Sequence, residues 1–418
     1  MKKVITLCLF IRITFPCFAQ TDKHADSLLA NKQYFLLRDY ADKNNHYYNA
    51  FLYNFFNNPA ASNKEIATVF SSYGKQLTSQ NRIALIKLQI DNDLKRYLYK
   101  EAYLNSTKLL RQYKKELPED DAEDIANSLI IWKSLQAIPP QRTLIAKDIR
   151  INYKRDAASL ITLPVDFDNY SDDYVFDTGA NLSVITESNA RKANLEMMAD
   201  TFLVTAITGI KVKAQAGVAR TFKIGDIIVH NAVFMIFPDS TLSFAGGQYK
   251  INGIIGFPII EQLKEIRISQ KGYIDVPLKP GHLSSANFGL DELTPVVNIG
   301  YKNTMHPFTF DTGAQITFFN EPFYTAYKAE IESAGKEQDM KVGGAGGSIS
   351  VKSYLVPQLV LSLNGKTAIL KNSSIKTTSS GENDKYYYGN LGQDVFSQYD
   401  ELLINFKDMY VELIGLNQ

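Results

Sequence analysis

Tyr174-Val175-Phe176-Asp177-Thr178-Gly179-Ala180 and Phe308-Thr309-Phe310-Asp311-Thr312-Gly313-Ala314 are two versions of one heptapeptide. In each, apolar and β-branched residues that suit a strand run into Asp-Thr-Gly, which suits a turn. The agreement continues downstream. A hydroxyl follows at the same offset, Ser183 and Thr317, and a glycine in a hairpin-like stretch lies at the same distance from each aspartate, Gly209 and Gly343. At nearly equal distances come Ile254-Ile255-Gly256 and Asn390-Leu391-Gly392, and each copy closes with a strand-like run, Tyr273 to Val276 and Tyr410 to Leu413. One Asp-Thr-Gly is a common turn; two in register with matching surroundings mark a duplicated β unit, residues 160–277 laid over 294–414.

Between the copies, Pro277, Pro280, Gly281 and Ser284-Ser285-Ala286-Asn287 read as a linker. Upstream, the character changes near Pro139-Pro140. Before it, apolar residues recur at helical spacing through Leu28, Leu29, Phe35, Leu36 and Leu37, and again through Ile83, Leu85, Ile86, Leu88 and Ile90. Glu119, Asp120 and Asp121 precede a further apolar helix, acids standing where a helix N-terminus favours negative charge. The expected architecture is therefore α+β and multidomain: an α-helical domain over 20–145, then an all-β region of two lobes, 150–280 and 288–418. The short helix pairs resemble a tetratricopeptide-like array. Trp132, the one tryptophan, falls on an apolar helix face and is expected in a core.

The N-terminus reads as an export signal over residues 1–19. Lys2 and Lys3 precede an apolar stretch from Val4 to Phe18, and Cys17-Phe18-Ala19 supplies a cleavage site. Cleavage there removes Cys8 and Cys17, the two cysteines, so the mature chain has no thiol for disulfides, metal ligation or nucleophilic catalysis. A periplasmic or extracellular location follows, with no membrane span after cleavage. Lys+Arg 45 against Asp+Glu 44 gives a net charge of +1, which provides no field for nucleic acid.

Asp-Thr-Gly-Ala twice, each with a later element ending in an apolar residue and glycine, Ile255-Gly256 and Leu391-Gly392, resembles the aspartic peptidases. The alanine after the glycine and the glycine-rich stretch Gly343, Gly344, Gly346, Gly347 look like the retroviral-protease branch. Two unequal copies in one chain look like the pepsin arrangement, and Gly392-Gln393-Asp394-Val395-Phe396 is similar to the closing segment of pepsin-like chains. The resemblance covers residues 155–418. It implies an endopeptidase acting on polypeptides as a monomer, without cofactor or metal, with Asp177 and Asp311 as the catalytic pair. By the same resemblance Thr178 and Thr312 bond across the two loops, and Gly256 and Gly392 pack beneath them.

The residue types suit that chemistry. Hydrolysis without a covalent intermediate needs one group to take a proton from water and another to give one. Two carboxyls held close cannot both ionise freely, so one keeps its proton. Gly179 and Gly313 let the loops approach without a Cβ, and their amides can donate to the carboxylates. The stretches around Gly209 and around Gly343 to Gly347 are candidate flaps.

Other readings fit less well. Gly365-Lys366-Thr367 has Val360 where a phosphate loop needs glycine, and Asn364-Gly365 suits a hairpin turn. The five histidines show no ligand spacing, and no Gly-x-Ser-x-Gly occurs. A glycosidase would not need its carboxyls in duplicated loops. The alternative that stands is a protease fold that lost turnover and serves as a binding module, with the helical domain as its protein-interaction surface.

Overall fold

The computed structural model describes residues 22–205, 211–283, 285–344, 347–379, 381 and 383–416. Residues 1–19, the proposed signal, lie outside them. Among the described residues, seven α-helices run from Lys23–Ala30 to Glu119–Leu135, and consecutive helices pack on one another. Local chemistry starts them. Asp22 accepts from the amides of His24 and Ala25, and Asn45 from those of Tyr47 and Tyr48. Asn58 caps a helix with Pro59 in its first turn, and Thr78 accepts from Asn81. The last helix begins at Glu119, so its three acids occupy the first turn. No helix among the described residues is long and apolar enough to cross a membrane.

The β region starts just after Pro139-Pro140, where the composition changes. Arg142–Leu144, inside the stretch read as helical, pairs with Ile227–Phe237 at the edge of the first sheet. The two copies then fold alike. In the first, hydrogen-bonded ladders run Lys211–Ile224, Ile227–Phe237, Ser183–Thr186, Gly253–Ile255, Ser171–Phe176, Ile161–Asp166 and back to Lys211–Ile224, a closed circuit of six strands. The second repeats it with Gly347–Leu363, Lys366–Lys376, Phe318–Phe319, Gly389–Leu391, Thr304–Phe310 and Thr294–Tyr301. Even the parallel pairings match: Ile254 lies beside Val175, and Asn390 beside Thr309. Asn364 and Gly365, both at positive φ, close the turn between two of these strands.

A five-stranded sheet joins the copies. Glu265–Ser269 of the first pairs antiparallel with Glu401–Asn405 of the second, flanked by Tyr273–Val276, Ile149–Asn152 and Tyr410–Ile414. Ile266, Ile268, Leu402 and Ile404 from this junction are buried in one core cluster with the interiors of both circuits. Buried Glu265 accepts from the amide of Gly281 at 2.7 Å and from Asn405 at 2.9 Å, which ties down the start of the linker.

The helices dock on both copies. On the first, Tyr99, Ile131, Trp132 and Leu135 pack against Ala216, Val218, Val233 and Met235, so Trp132 is buried between helices and sheet rather than inside a helical bundle. On the second, Lys32 pairs with Asp291 at 2.6 Å, buried Lys95 donates to the carbonyl of Leu290 at 3.3 Å, and Phe55 lies against Gly289, where a Cβ would collide with its ring. Phe55 is 1% exposed. Phe55→Ala would leave a cavity at this junction, and is expected to lower the unfolding free energy by about 3 kcal/mol, read from denaturant unfolding.

Candidate active site

Asp177 and Asp311 each follow the last residue of a central strand, Phe176 and Phe310. Their amides complete the parallel ladders below: Asp177 donates to Ile255 and Asp311 to Leu391, both at 3.0 Å. The chain then turns within its Asp-Thr-Gly-Ala, and the returning loop is fastened beneath. The amide of Gly256 donates to Ser183 and that of Gly392 to Thr317, each at 3.0 Å. A Cβ at either glycine would strike the loop backbone, at 2.6 Å from Leu182 in one copy and 2.8 Å from Ile316 in the other.

The loops meet through two buried threonines. The Thr178 amide donates to the Thr312 hydroxyl and the Thr312 amide to the Thr178 hydroxyl, both at 3.0 Å. Each hydroxyl in turn donates to the opposite strand, Thr178 to the carbonyl of Phe310 at 3.3 Å and Thr312 to that of Phe176 at 2.9 Å. Four hydrogen bonds thus cross the approximate twofold axis.

This clamp brings the carboxyls together. Gly179 donates to Asp177 Oδ1 at 2.8 Å and Gly313 to Asp311 Oδ1 at 2.7 Å. Each glycine also faces the other copy's acid: a Cβ on Gly179 would sit 2.6 Å from Asp311 Cγ, and one on Gly313 would sit 2.5 Å from Asp177 Cγ. Only residues without a side chain allow this approach. Both aspartates are half-buried. Burial first, then the charge of Asp311 and a hydrogen bond shared with it, push the Asp177 carboxyl well above the usual carboxylate range, against the donations from Gly179 and Ala180. The native state therefore holds this proton more tightly than the unfolded chain does. That contribution favours folding at low pH and is lost as pH rises through the raised value. The pair can hold one proton and one charge beside a solvent-accessible position, which is what activating a water requires.

Two antiparallel hairpins carry the flap candidates. In the first, Glu196–Thr205 pairs with Lys211–Ile224, and Gly209 lies outside the described residues. In the second, Lys336–Gly344 pairs with Gly347–Leu363, with Gly343 opposite Ser348 and Gly344 opposite Gly347; Gly346 lies outside the described residues. Gly343 is exposed with open space where a Cβ would stand. The helical region holds the first hairpin. Asn127 donates to the carbonyl of Leu203 at 2.6 Å and accepts from its amide at 3.1 Å, the way a neighbouring strand would.

Sequence reasoning missed several supports. Gln393 donates to the carbonyl of Thr312 at 2.8 Å, Asp394 accepts from the Thr317 hydroxyl at 2.6 Å, and Asn390 donates to Asp311 Oδ2 at 3.3 Å. For Asn390 a signal existed, since Ile254 holds its place in the first copy. His306 is buried, and burial lowers it to about 4, a neutral ring against Tyr327 and away from this chemistry. No group of three or more metal-ligating side chains occurs among the described residues.

Residues 163–259, which contain the first Asp-Thr-Gly-Ala, match the family model described as aspartyl protease. The chain carries an aspartyl protease-like domain. None of the curated proteins matches it. Among solved structures it is similar to the crystal structure of basic 7S globulin from soybean, at 11% identity over 65% of this chain and 95% of that one, TM-score 0.41. It is also similar to conglutin gamma, a basic 7S globulin from lupine seeds, at 9% identity over 64% and 94%, TM-score 0.39.

Two outcomes test this geometry. Thr312→Val would strand the Thr178 amide and the Phe176 carbonyl, and is expected to cost about 3 kcal/mol in unfolding experiments, with Thr312→Ser retaining most of the stability. Asn127→Ala is expected to speed hydrogen exchange at the Leu203 amide, followed by mass spectrometry, with little change in the joining sheet.

Proposed function

We propose that the chain is a single-chain aspartic endopeptidase whose two β lobes each give one catalytic carboxyl, Asp177 and Asp311. The observation that carries this reading is the face-to-face approach of the carboxyls across the Thr178–Thr312 clamp, with one of them pushed to keep its proton. A water between them loses a proton to the charged carboxylate as its oxygen attacks the peptide carbonyl, while the protonated carboxyl donates to the carbonyl oxygen. Collapse of the tetrahedral intermediate then expels the amine, which takes up a proton from the pair. Because the pair titrates as a unit, the proton belongs to both until something distinguishes them.

Both aspartates come from one chain, which supports activity as a monomer on polypeptide substrates, without metal or cofactor. The two hairpins remain the candidates for flaps, and the signal-like residues 1–19 support export to the periplasm or the extracellular space. The helical region, docked on both lobes, steadies the first hairpin and leaves an outer face for a protein partner.

With purified mature chain and an unstructured polypeptide, Asp177→Asn and Asp311→Asn are each expected to lower kcat/KM by about 1,000-fold or more. Their melting temperatures at neutral pH should equal or exceed the wild type's, because each substitution removes the cost of burying an acid beside a second one. Wild-type activity should fall as pH rises above the ordinary carboxylate range, where Asp177 gives up its proton. Equal turnover by wild type and either variant would overturn the assignment, and a wild type that binds polypeptide without cutting it would favour the binding-module reading.

A further inference from the structure

We infer that Asn390 is a positioning residue that breaks the symmetry of the pair, making Asp311 the charged base and leaving the proton on Asp177. This rests on the peptidase reading above and adds to it a division of labour. Each aspartate accepts at Oδ1 from the glycine amide two residues on, Gly179 for Asp177 and Gly313 for Asp311. The side chains beneath are not balanced. Where the first copy has Val175 beside Ile254, the second has Thr309 beside Asn390, in the same parallel register two residues before the aspartates. At this place in the repeat an apolar pair has been replaced by a polar one.

The polar pair is oriented. Asn390 is 7% exposed, so its amide must find partners within the protein. The Thr309 hydroxyl lies 2.7 Å from Asn390 Oδ1 and 3.2 Å from the carbonyl of Gly389. Donating to the amide oxygen, it leaves the NH2 group directed at Asp311, where Nδ2 meets Oδ2 at 3.3 Å. The reversed amide would set oxygen against carboxylate oxygen. A nitrogen donor favours whichever state puts more charge on its acceptor, so the charge settles on Asp311. Ile254 offers Asp177 no such donor. The other charged groups in the elements under the second loop are engaged elsewhere: Asp394 takes the amide and hydroxyl of Thr317, and Arg155 donates to Gln393.

The test compares pH profiles of kcat/KM for wild type, Thr309→Val, Asn390→Ile and the double variant, which reproduces the first copy's pair. Removing the donor destabilises the charged form, so the acid limb should move up by about 1 pH unit in Asn390→Ile and the double variant, and by less in Thr309→Val, with the basic limb in place. A role in packing alone would lower the whole profile without moving the limb, and that result overturns the inference, as does movement of the basic limb only. Thermal melts identify any variant that fails to fold, in which case Thr309→Val decides. If Asp177→Asn abolishes activity while the profiles coincide, this inference fails and the peptidase reading stands. If wild type does not turn over, the peptidase reading fails, and titration of 13C-labelled aspartate carboxyls by NMR decides the rest. A first ionisation that does not move between wild type and Asn390→Ile would overturn the role of Asn390.

Discussion

Two hydroxyls and two amides, those of Thr178 and Thr312, hold the middle of this protein together. Each threonine satisfies a backbone group in the other copy, so neither loop is complete alone. A buried amide or carbonyl without a partner is costly, and that cost makes the two loops one unit. The carboxyls are carried along: the backbone geometry that brings the threonines within 3.0 Å also presses Gly179 and Gly313 against the opposing acids. Like charges would drive the loops apart, and the clamp together with the apolar ladders below resists them.

Everything farther out maintains that meeting. The junction sheet fixes the spacing of the two circuits by pairing Glu265–Ser269 with Glu401–Asn405, and its apolar residues join the interiors into one core. Below each loop, Gly256 and Gly392 bring a strand and a short helix against the loop backbone, closer than any side chain would allow. The helical region adds asymmetry. It covers one sheet face of the first copy with Trp132 and its neighbours and lays Asn127 along the first hairpin, while meeting the second copy through Phe55, Lys32 and Lys95.

Much of the fold was legible because it was written twice. The repeat gave the strand-loop-strand order around each aspartate, and the change of apolar spacing near Pro139 gave the passage from helix to strand. The domain bound of 145 took in the strand Arg142–Leu144 although the change of character lies before it; three residues without alternation carry no period, and only pairing with Ile227–Phe237 makes them a strand. Trp132 was correctly expected to be buried, but against what was invisible: an apolar helix face looks the same whether it meets a helix or a sheet.

The sequence by itself singled out the candidate residues, since Asp-Thr-Gly-Ala repeated in register confines them to Asp177 and Asp311, and the glycines show where backbone must pass close. Tertiary structure alone decided that these acids, distant along the chain, meet, because their separation depends on a junction sheet and a threonine clamp built from both copies. It also set the Asn390 amide within 3.3 Å of Asp311 Oδ2, where Ile254 has no donor to offer Asp177. A side chain's effect on a charge depends on the few ångströms and the direction between them, and linear order encodes neither.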